Sequence, residues 1–242
     1  MRAVAYAFVA LLAAGLPACG TPELPSVPRE GFEAFSTPRS FDGPGTIYRI
    51  DADKKRFLVT TVVFKASGGG VEYLPSFASK RELSLSSLIE TIGLKAEALP
   101  ASAQGKLGST RMATVQSVGG RRAVTSDEDV EGALRTWATT AQPMDGSVYY
   151  LIRETIATEG LTYKVSHEWL AQLGLDAQAL NSAGYRGEVR GGASDVLELD
   201  AKFPSAMNVW FKAEKVVFNK ALGVAGSQYN VVRTTAQGEL GL

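Results

Sequence analysis

The chain has 242 residues, of which 45% are hydrophobic and 21% are charged, a composition typical of a folded protein with a sizeable apolar core. Its 25 basic and 25 acidic residues give a formal net charge of zero, so the basic excess that phosphate contacts require in nucleic-acid-binding proteins is missing. The single cysteine and single histidine exclude an internal disulfide framework and a zinc site built from several such ligands. We therefore expect no nucleic-acid partner, no metal and no cofactor.

The N-terminal segment has the features of an export signal. After Arg2, residues 3–15 carry no charge. This run is shorter than the roughly 20 apolar residues of a membrane-spanning helix, but it fits the apolar region of a secretory signal. It ends in Leu16, Pro17, Ala18 and Cys19 rather than in the small-x-small pattern of ordinary signal cleavage.

The motif at 16–19 resembles the bacterial lipobox, leucine–x–small–cysteine. The resemblance implies that residues 1–18 are a lipoprotein signal peptide, that diacylglycerol is attached to the Cys19 sulfur, and that the new N-terminus receives an acyl chain such as palmitate. The attachment needs a thiolate as nucleophile, and several acyl chains anchor firmly because each buried methylene contributes about 0.8 kcal/mol. In enterobacterial lipoproteins, an aspartate directly after the cysteine resembles a signal for retention in the inner membrane. This chain has Gly20 there, so the resemblance favours the periplasmic face of the outer membrane. The alternative is a secretory signal followed by an incidental free cysteine.

Residues 19–45 are predicted to form the lipidated cysteine and a proline-rich tether. Five of the ten prolines lie there: Pro22, Pro25, Pro28, Pro38 and Pro44. Proline at this density disfavours helix and central strand, and an extended tether at about 3.1 Å per residue would reach roughly 80 Å. Phe32, Phe35 and Phe41 suggest instead that the later part of the segment packs on the body.

The body, residues 46–242, is predicted to be α+β, with antiparallel strands and hairpins and a few short helices. Alternating and β-branched residues predict strands at 46–51, 57–65, 71–73, 148–156, 161–165, 196–199, 208–218 and 229–233. Glycines predict hairpin turns at 68–70 and at Glu159-Gly160. Serine caps, helical spacing and glycine or proline stops predict helices at 85–92 before Gly93, from Ser126 to Pro143, and between Ser166 and Gly174.

Two segments are similar enough to indicate an internal repeat. Residues 93–99 (GLKAEAL) and 174–180 (GLDAQAL) agree at five of seven positions. Two further pairs of similar segments lie upstream of these, in the same order in both copies: 70–73 with 160–163, and 45–48 with 146–149. One interpretation is a duplication into halves 46–142 and 143–242 with a ligand cleft between them. The alternative is chance similarity among common residues.

Candidate catalytic or metal-binding residues carry weak signals. His167-Glu168 begins like the HExxH zinc motif but lacks the second histidine, so a surface or packing role is expected. Asp195, Glu198 and Asp200 alternate with apolar residues as in a half-exposed strand, with a hard-cation site as the alternative.

Two functions fit this sequence. The first is a membrane-anchored binding or scaffolding module of the cell envelope, with an envelope protein or glycan as partner. The second is an envelope hydrolase that acts on glycan or peptide through His167 or a carboxylate pair. We favour the first because the sequence has neither a G-x-S-x-G nor an S-x-x-K motif. The three tryptophans are expected to pack in the core, with a sugar or peptide groove as the alternative: Trp137, Trp169 and Trp210.

Overall fold

The computed structural model of the protein describes residues 31–50, 53, 55–61, 71–74, 76–117, 119–143, 148–191, 195–220, 229–236 and 238–240. Within these ranges the fold is α+β, with one antiparallel sheet and short helices, as predicted. The strands are β1 Glu33–Arg39, β2 Thr46–Ile50, β3 Arg56–Thr61, β4 Val71–Leu74, β5 Phe77–Ser84, β6 Thr110–Ser117, β7 Gly120–Val124, β8 Val148–Ser166, β9 Val189–Gly191, β10 Val196–Lys220 and β11 Tyr229–Thr235. The helices are α1 Leu85–Thr91, α2 Ala101–Gln104, α3 Asp127–Ala141, α4 His167–Gln172 and α5 Ala177–Ser182, with a 3₁₀ turn at Ala96–Ala98.

Two long strands form the spine of the sheet. β8 has 19 residues and β10 has 25, and they pair antiparallel from Val196 opposite Ser166 to Val217 opposite Val148. β2, β6 and β7 pair with β8, while β1, β9 and β11 pair with β10. Strands that are distant in sequence therefore meet along this pair.

The predicted hairpin at Glu159-Gly160 is wrong, because both residues lie inside β8. Gly160 is opposite Lys202 of β10, and a Cβ added to it would lie 3.0 Å from the Ala201 carbonyl oxygen. The glycine thus permits close approach of two strands instead of making a turn. The glycine that suggested a turn is therefore explained by this close approach.

The predicted gap between strands 196–199 and 208–218 is also wrong, because β10 is continuous through it. The pairing with β8 shifts register between Lys202 and Met207. Such a bulge leaves residues outside the ladder, and Pro204, which has no N–H to donate, lies within it. The strand therefore accommodates the proline without ending there.

The apolar core lies in separate clusters on the sheet. The largest is covered by α1, α4 and α5, and its buried members include Leu88, Tyr163, Trp169, Leu180 and Trp210. At the other end of the sheet, α3 covers one face: Val130, Leu134 and Ala138 pack on Ile47, Leu151, Val216 and Phe218. The opposite face there holds Phe35, Ile152, Phe211 and Leu240. Each fully buried side chain of this size contributes about 1.5–3 kcal/mol, so these clusters hold the helices on the sheet.

The predicted helix ends are confirmed. Ser126 and Ser166 each accept a hydrogen bond from the backbone N–H three residues later, at the starts of α3 and α4. Gly93 and Gly174 follow α1 and α4 with φ of +77° and +70°. Glycine adopts this left-handed conformation without the penalty that a Cβ brings, and the helices therefore stop there.

The predicted boundary between tether and body at residue 45 is too late. β1, which the tether prediction included, pairs with β10, and Phe35 is 1% exposed with its ring 4.5 Å from that of Phe211. Pro38 is tolerated because the β1 register shifts beyond Ala34. Packing of the aromatic segment on the body is therefore right for Phe35, whereas Phe41 is 64% exposed.

The two similar segments share one local geometry. After each left-handed glycine, a leucine N–H donates to the carbonyl five residues earlier: Leu94 to Ile89 at 2.8 Å and Leu175 to Leu170 at 2.9 Å. Both leucines are buried in the same cluster. Strands from 46–142 pair directly with β8, so the two predicted halves share one sheet, and the duplication itself stays a prediction.

Candidate functional site

The predicted lipid-attachment site lies outside the described residues. Cys19 and the other lipobox residues, Leu16, Pro17 and Ala18, precede residue 31, where the description begins. The predicted glycine hairpin at 68–70 also lies outside the described residues. Lipidation of Cys19 therefore stays a prediction from the sequence.

His167 has the surface position expected of it. It is the first residue of α4 and its side chain is exposed, while its backbone N–H donates to the Asp195 carbonyl at 2.7 Å. Asp195 has a φ of +58°, which a short polar side chain tolerates better than most. This hydrogen bond joins the end of β8 to the start of β10. It involves the backbone of His167 and not its imidazole.

The tryptophans pack in the core, as the simpler interpretation predicted. Trp169 is 4% exposed and Trp210 is 1% exposed. The half-buried ring of Trp137 lies 5.5 Å from Tyr149 and 5.3 Å from Phe218 between α3 and the sheet. The alternative of a tryptophan-lined groove is therefore wrong for Trp169 and Trp210.

Glu198 and Asp200 lie on one face of β10, as their alternation predicted, and both are paired with cations. Glu198 lies 2.8 Å from the Lys164 ammonium. Asp200 accepts two hydrogen bonds from Arg190, at 2.7 and 3.0 Å, and one from the Thr162 hydroxyl at 2.7 Å. No cluster of three potential ligands suited to a metal ion occurs among the residues that the structure describes.

A cavity of about 420 Å³ opens beside Asp200. The loop between α5 and β9 forms one wall with Arg186, Gly187 and Glu188, and β10 forms the other with Asp200 and Lys202. Asp200 and Lys202 are two positions apart on the strand, so their side chains leave the same face. The described part of the cavity lining therefore contains two basic and two acidic residues.

Tyr185 fixes the loop wall of this cavity to β10. Its side chain is buried, and its hydroxyl donates to the Asp200 carbonyl at 2.7 Å, with the Glu188 carbonyl at 3.2 Å. Burial raises the pKa of Tyr185 to about 12. A Cβ on Gly187 would collide with the Tyr185 hydroxyl and the Asp200 carbonyl oxygen, so the close contact requires glycine.

A second cavity, of about 260 Å³, lies where the pairing of β8 with β10 shifts register. Its wall includes the exposed Tyr73, the Gly119-Gly120 turn, and Ala206 of the β10 bulge. Across it, the Arg121 guanidinium lies 2.6 Å from the Glu159 carboxylate. Both side chains are at least half exposed, so this ion pair contributes at most about 1 kcal/mol to stability.

A third polar cluster, at the start of α3, was not predicted from the sequence. The buried Arg153 guanidinium lies 2.8 Å from Asp127 and 3.3 Å from Glu214. Arg233 contacts the same two carboxylates at 3.1 and 3.3 Å. These four alternating charges join α3 to β8, β10 and β11, which gives them a structural role.

No known protein family matches the chain, and no curated protein matches it. Among the described residues, no helix is long and apolar enough to span a membrane. One similar solved structure is a bacterial gasdermin from Bradyrhizobium tropiciagri, with a TM-score of 0.48 and 15% sequence identity. The alignment covers 85% of this chain and 88% of that chain. A similarity this distant assigns neither a family nor a function.

Proposed function

We propose that the protein is a lipid-anchored cell-envelope protein that acts as a binding or scaffolding module. The observation that carries the proposal is the lipobox-like motif at 16–19, which follows an uncharged segment and ends in the only cysteine of the chain. A cysteine with no second cysteine to pair with in its own chain, placed at the end of an export signal, is explained by lipidation. The periplasmic face of the outer membrane is the favoured location.

The length of the tether limits where a partner can lie. Because β1 begins at Glu33, residues 20–32 connect the body to Cys19. At about 3.1 Å per residue, a fully extended segment of this length would reach roughly 40 Å, half of the reach expected from the longer tether. The body therefore binds its partner, an envelope protein or a glycan, close to the membrane that holds the lipid.

The charged cavity between the 186–188 loop and β10 supports a binding role. Its walls are held by the Tyr185 hydrogen bond and by the Asp200–Arg190 pair. Ordering these groups before a ligand arrives lowers the entropy that binding would otherwise cost. A preformed polar site of this kind suits recognition of a charged partner.

The anchor is tested by membrane fractionation of the full chain in a lipoprotein-processing bacterium. We expect the wild-type protein in the membrane fraction and the Cys19→Ala variant in the soluble fraction with its signal attached or removed elsewhere. Pro17→Ala is the matched control, because the second lipobox position tolerates many residues, and it should fractionate like wild type. Membrane retention of Cys19→Ala would contradict the proposal.

The scaffolding role is tested by photocrosslinking in intact cells. A photoreactive residue is placed at exposed positions on different faces: Phe41, Tyr73 and Met112. We expect a discrete adduct at one or more positions that disappears when Cys19→Ala removes the anchor. If none of these positions, nor any position around the two cavities, gives an adduct in membranes, the protein is not a scaffold for another macromolecule.

A further inference from the structure

We propose that the cavity between the 186–188 loop and β10 binds a zwitterionic amino compound, such as a free amino acid or the end of a short peptide. The ligand carboxylate is held by Arg186 and Lys202, and the ligand ammonium by Glu188. This inference rests on the proposed binding function and names its ligand class, but it does not depend on the anchor.

Part of the charge in the cavity remains available to a ligand. Among the described residues that line the cavity, four of five are charged. The Asp200 carboxylate is already neutralised by Arg190 and further engaged by Thr162. Within the described part of the chain, the side chains of the other three form neither a hydrogen bond nor an ion pair: Arg186, Glu188 and Lys202. Two cations and one carboxylate are thus left for a ligand.

The backbone that carries two of these charges, on Arg186 and Glu188, is held against β10 by Tyr185. Arg186 and Glu188 flank Gly187, which lies so close to Tyr185 and Asp200 that no side chain fits there. An ordinary solvated loop needs neither a buried tyrosine clamp nor a compulsory glycine. These contacts place the backbone of Arg186 and Glu188 beside the strand that carries Lys202, so part of the site is ordered before a small ligand arrives.

The signs of the three available charges favour a ligand that carries both a carboxylate and an ammonium. A simple anion would be attracted by Arg186 and Lys202 but repelled by Glu188. A simple ammonium ion would be attracted by Glu188 but repelled by the two cations. A single solvent-exposed ion pair contributes little to affinity. Only a ligand with a carboxylate and an ammonium gains from all three side chains at once. A cavity of about 420 Å³ has room for an amino acid or a dipeptide.

The test is calorimetric titration of the mature protein as the producing cell makes it, purified in detergent whether or not it carries lipid, with L-alanyl-L-alanine at low salt. Acetate and methylammonium serve as single-charge probes. We expect saturable binding of the dipeptide with Kd below about 10 mM, and binding of either single-charge probe at least about tenfold weaker. Raising the salt concentration should weaken dipeptide binding, because the contacts are partly exposed charges.

Two variants assign the contacts. Glu188→Gln should weaken dipeptide binding about tenfold without weakening that of acetate, and Lys202→Met should weaken both. Lys80→Met is the matched control, because it removes an exposed lysine from β5, away from the cavity, and binding should not change. Circular dichroism checks that each variant is folded.

Three results would overturn the inference: no saturable dipeptide binding by the folded protein up to about 10 mM, acetate binding as tight as dipeptide binding, or a Glu188→Gln variant with unchanged affinity. Failure of this kind leaves fractionation and crosslinking unaffected. Failure of those two experiments, conversely, leaves a dipeptide site measurable in the purified protein. The two proposals therefore fail separately.

Discussion

Gly187→Ala should destabilise the protein, because there is no room for a side chain between Gly187 and the Tyr185 ring that packs against it. The new methyl group would overlap the Tyr185 hydroxyl and the Asp200 carbonyl oxygen. Relief of the overlap requires the hydroxyl to leave its hydrogen bond with that carbonyl, now 2.7 Å long. The loop wall of the cavity would then move away from β10.

The expected magnitude follows from these two losses. A neutral hydrogen bond contributes about 0.5–1.5 kcal/mol, and overpacking costs about 1–3 kcal/mol. Partial relaxation of the exposed loop reduces their sum, so we expect a loss of roughly 2–3 kcal/mol in the free energy of unfolding. For a chain of this size that corresponds to a fall in Tm of roughly 4–12 °C.

The assay is thermal and urea unfolding of the purified full chain, with Gly191→Ala as matched control. Gly191 lies four residues along the same segment, has an ordinary φ and has open space around its Cα. Alanine there should leave stability unchanged or raise it by about 0.5 kcal/mol through the unfolded state. The Tyr185→Phe background adds a further check, since Gly187→Ala should cost less once the hydroxyl is gone.

Equal stability of the Gly187→Ala and Gly191→Ala variants would refute this reasoning. An equal cost of Gly187→Ala in the wild-type and Tyr185→Phe backgrounds would show that the hydroxyl is not the obstacle. Either outcome would also remove the rigidity on which the ligand site rests.

Three further predictions concern other parts of the fold. Phe35→Ala should lower the free energy of unfolding, measured by urea titration, by about 3–5 kcal/mol. The control Phe41→Ala should change it by less than about 0.5 kcal/mol. Similar values for the two variants would mean that β1 does not belong to the body. Since the folded pKa of Tyr185 is about 12 and its unfolded value is 10.0, its contribution is complete below pH 10 and is lost as the pH rises towards 12. Tyr185→Phe should therefore flatten the alkaline decline measured by urea unfolding, and an unchanged slope would contradict the assignment. Ser126→Ala, which removes the cap of α3, should cost about 1 kcal/mol by thermal unfolding, and a neutral result would mean that the cap contributes nothing.

Local chemistry made parts of this fold predictable. The caps at Ser126 and Ser166 and the stops at Gly93 and Gly174 depend on neighbouring residues in the chain, and all four are confirmed. The same holds for β11, where alternating β-branched residues predicted the strand. These features need no information about distant segments.

Pairing between distant strands explains the errors. Gly160 was predicted to make a turn, because glycine in a sequence signals either a turn or a close approach, and only the position of Ala201 distinguishes them. The strands at 196–199 and 208–218 were predicted as separate, because the bulge that joins them into β10 depends on the register with β8. The β1 strand was assigned to the tether because its partner, β10, lies far along the chain.

The candidate ligand site could not be predicted for the same reason. Arg186 and Glu188 line the same cavity as Lys202 only because β9 pairs with β10 and the Tyr185 hydroxyl donates to the Asp200 carbonyl. The short sequence Tyr185-x-Gly187 carried the relevant signal, a buried hydroxyl beside a compulsory glycine. That signal is meaningful only once the close contact is known.

The central claim is that Cys19 carries the lipid. The most direct test is mass spectrometry of the N-terminal peptide from protein extracted from membranes. We predict that residues 1–18 are absent, that Cys19 is the first residue, and that it carries a diacylglyceryl thioether and an N-linked acyl chain. A mature chain that begins at another residue, or that keeps Cys19 with a free thiol, would contradict the account.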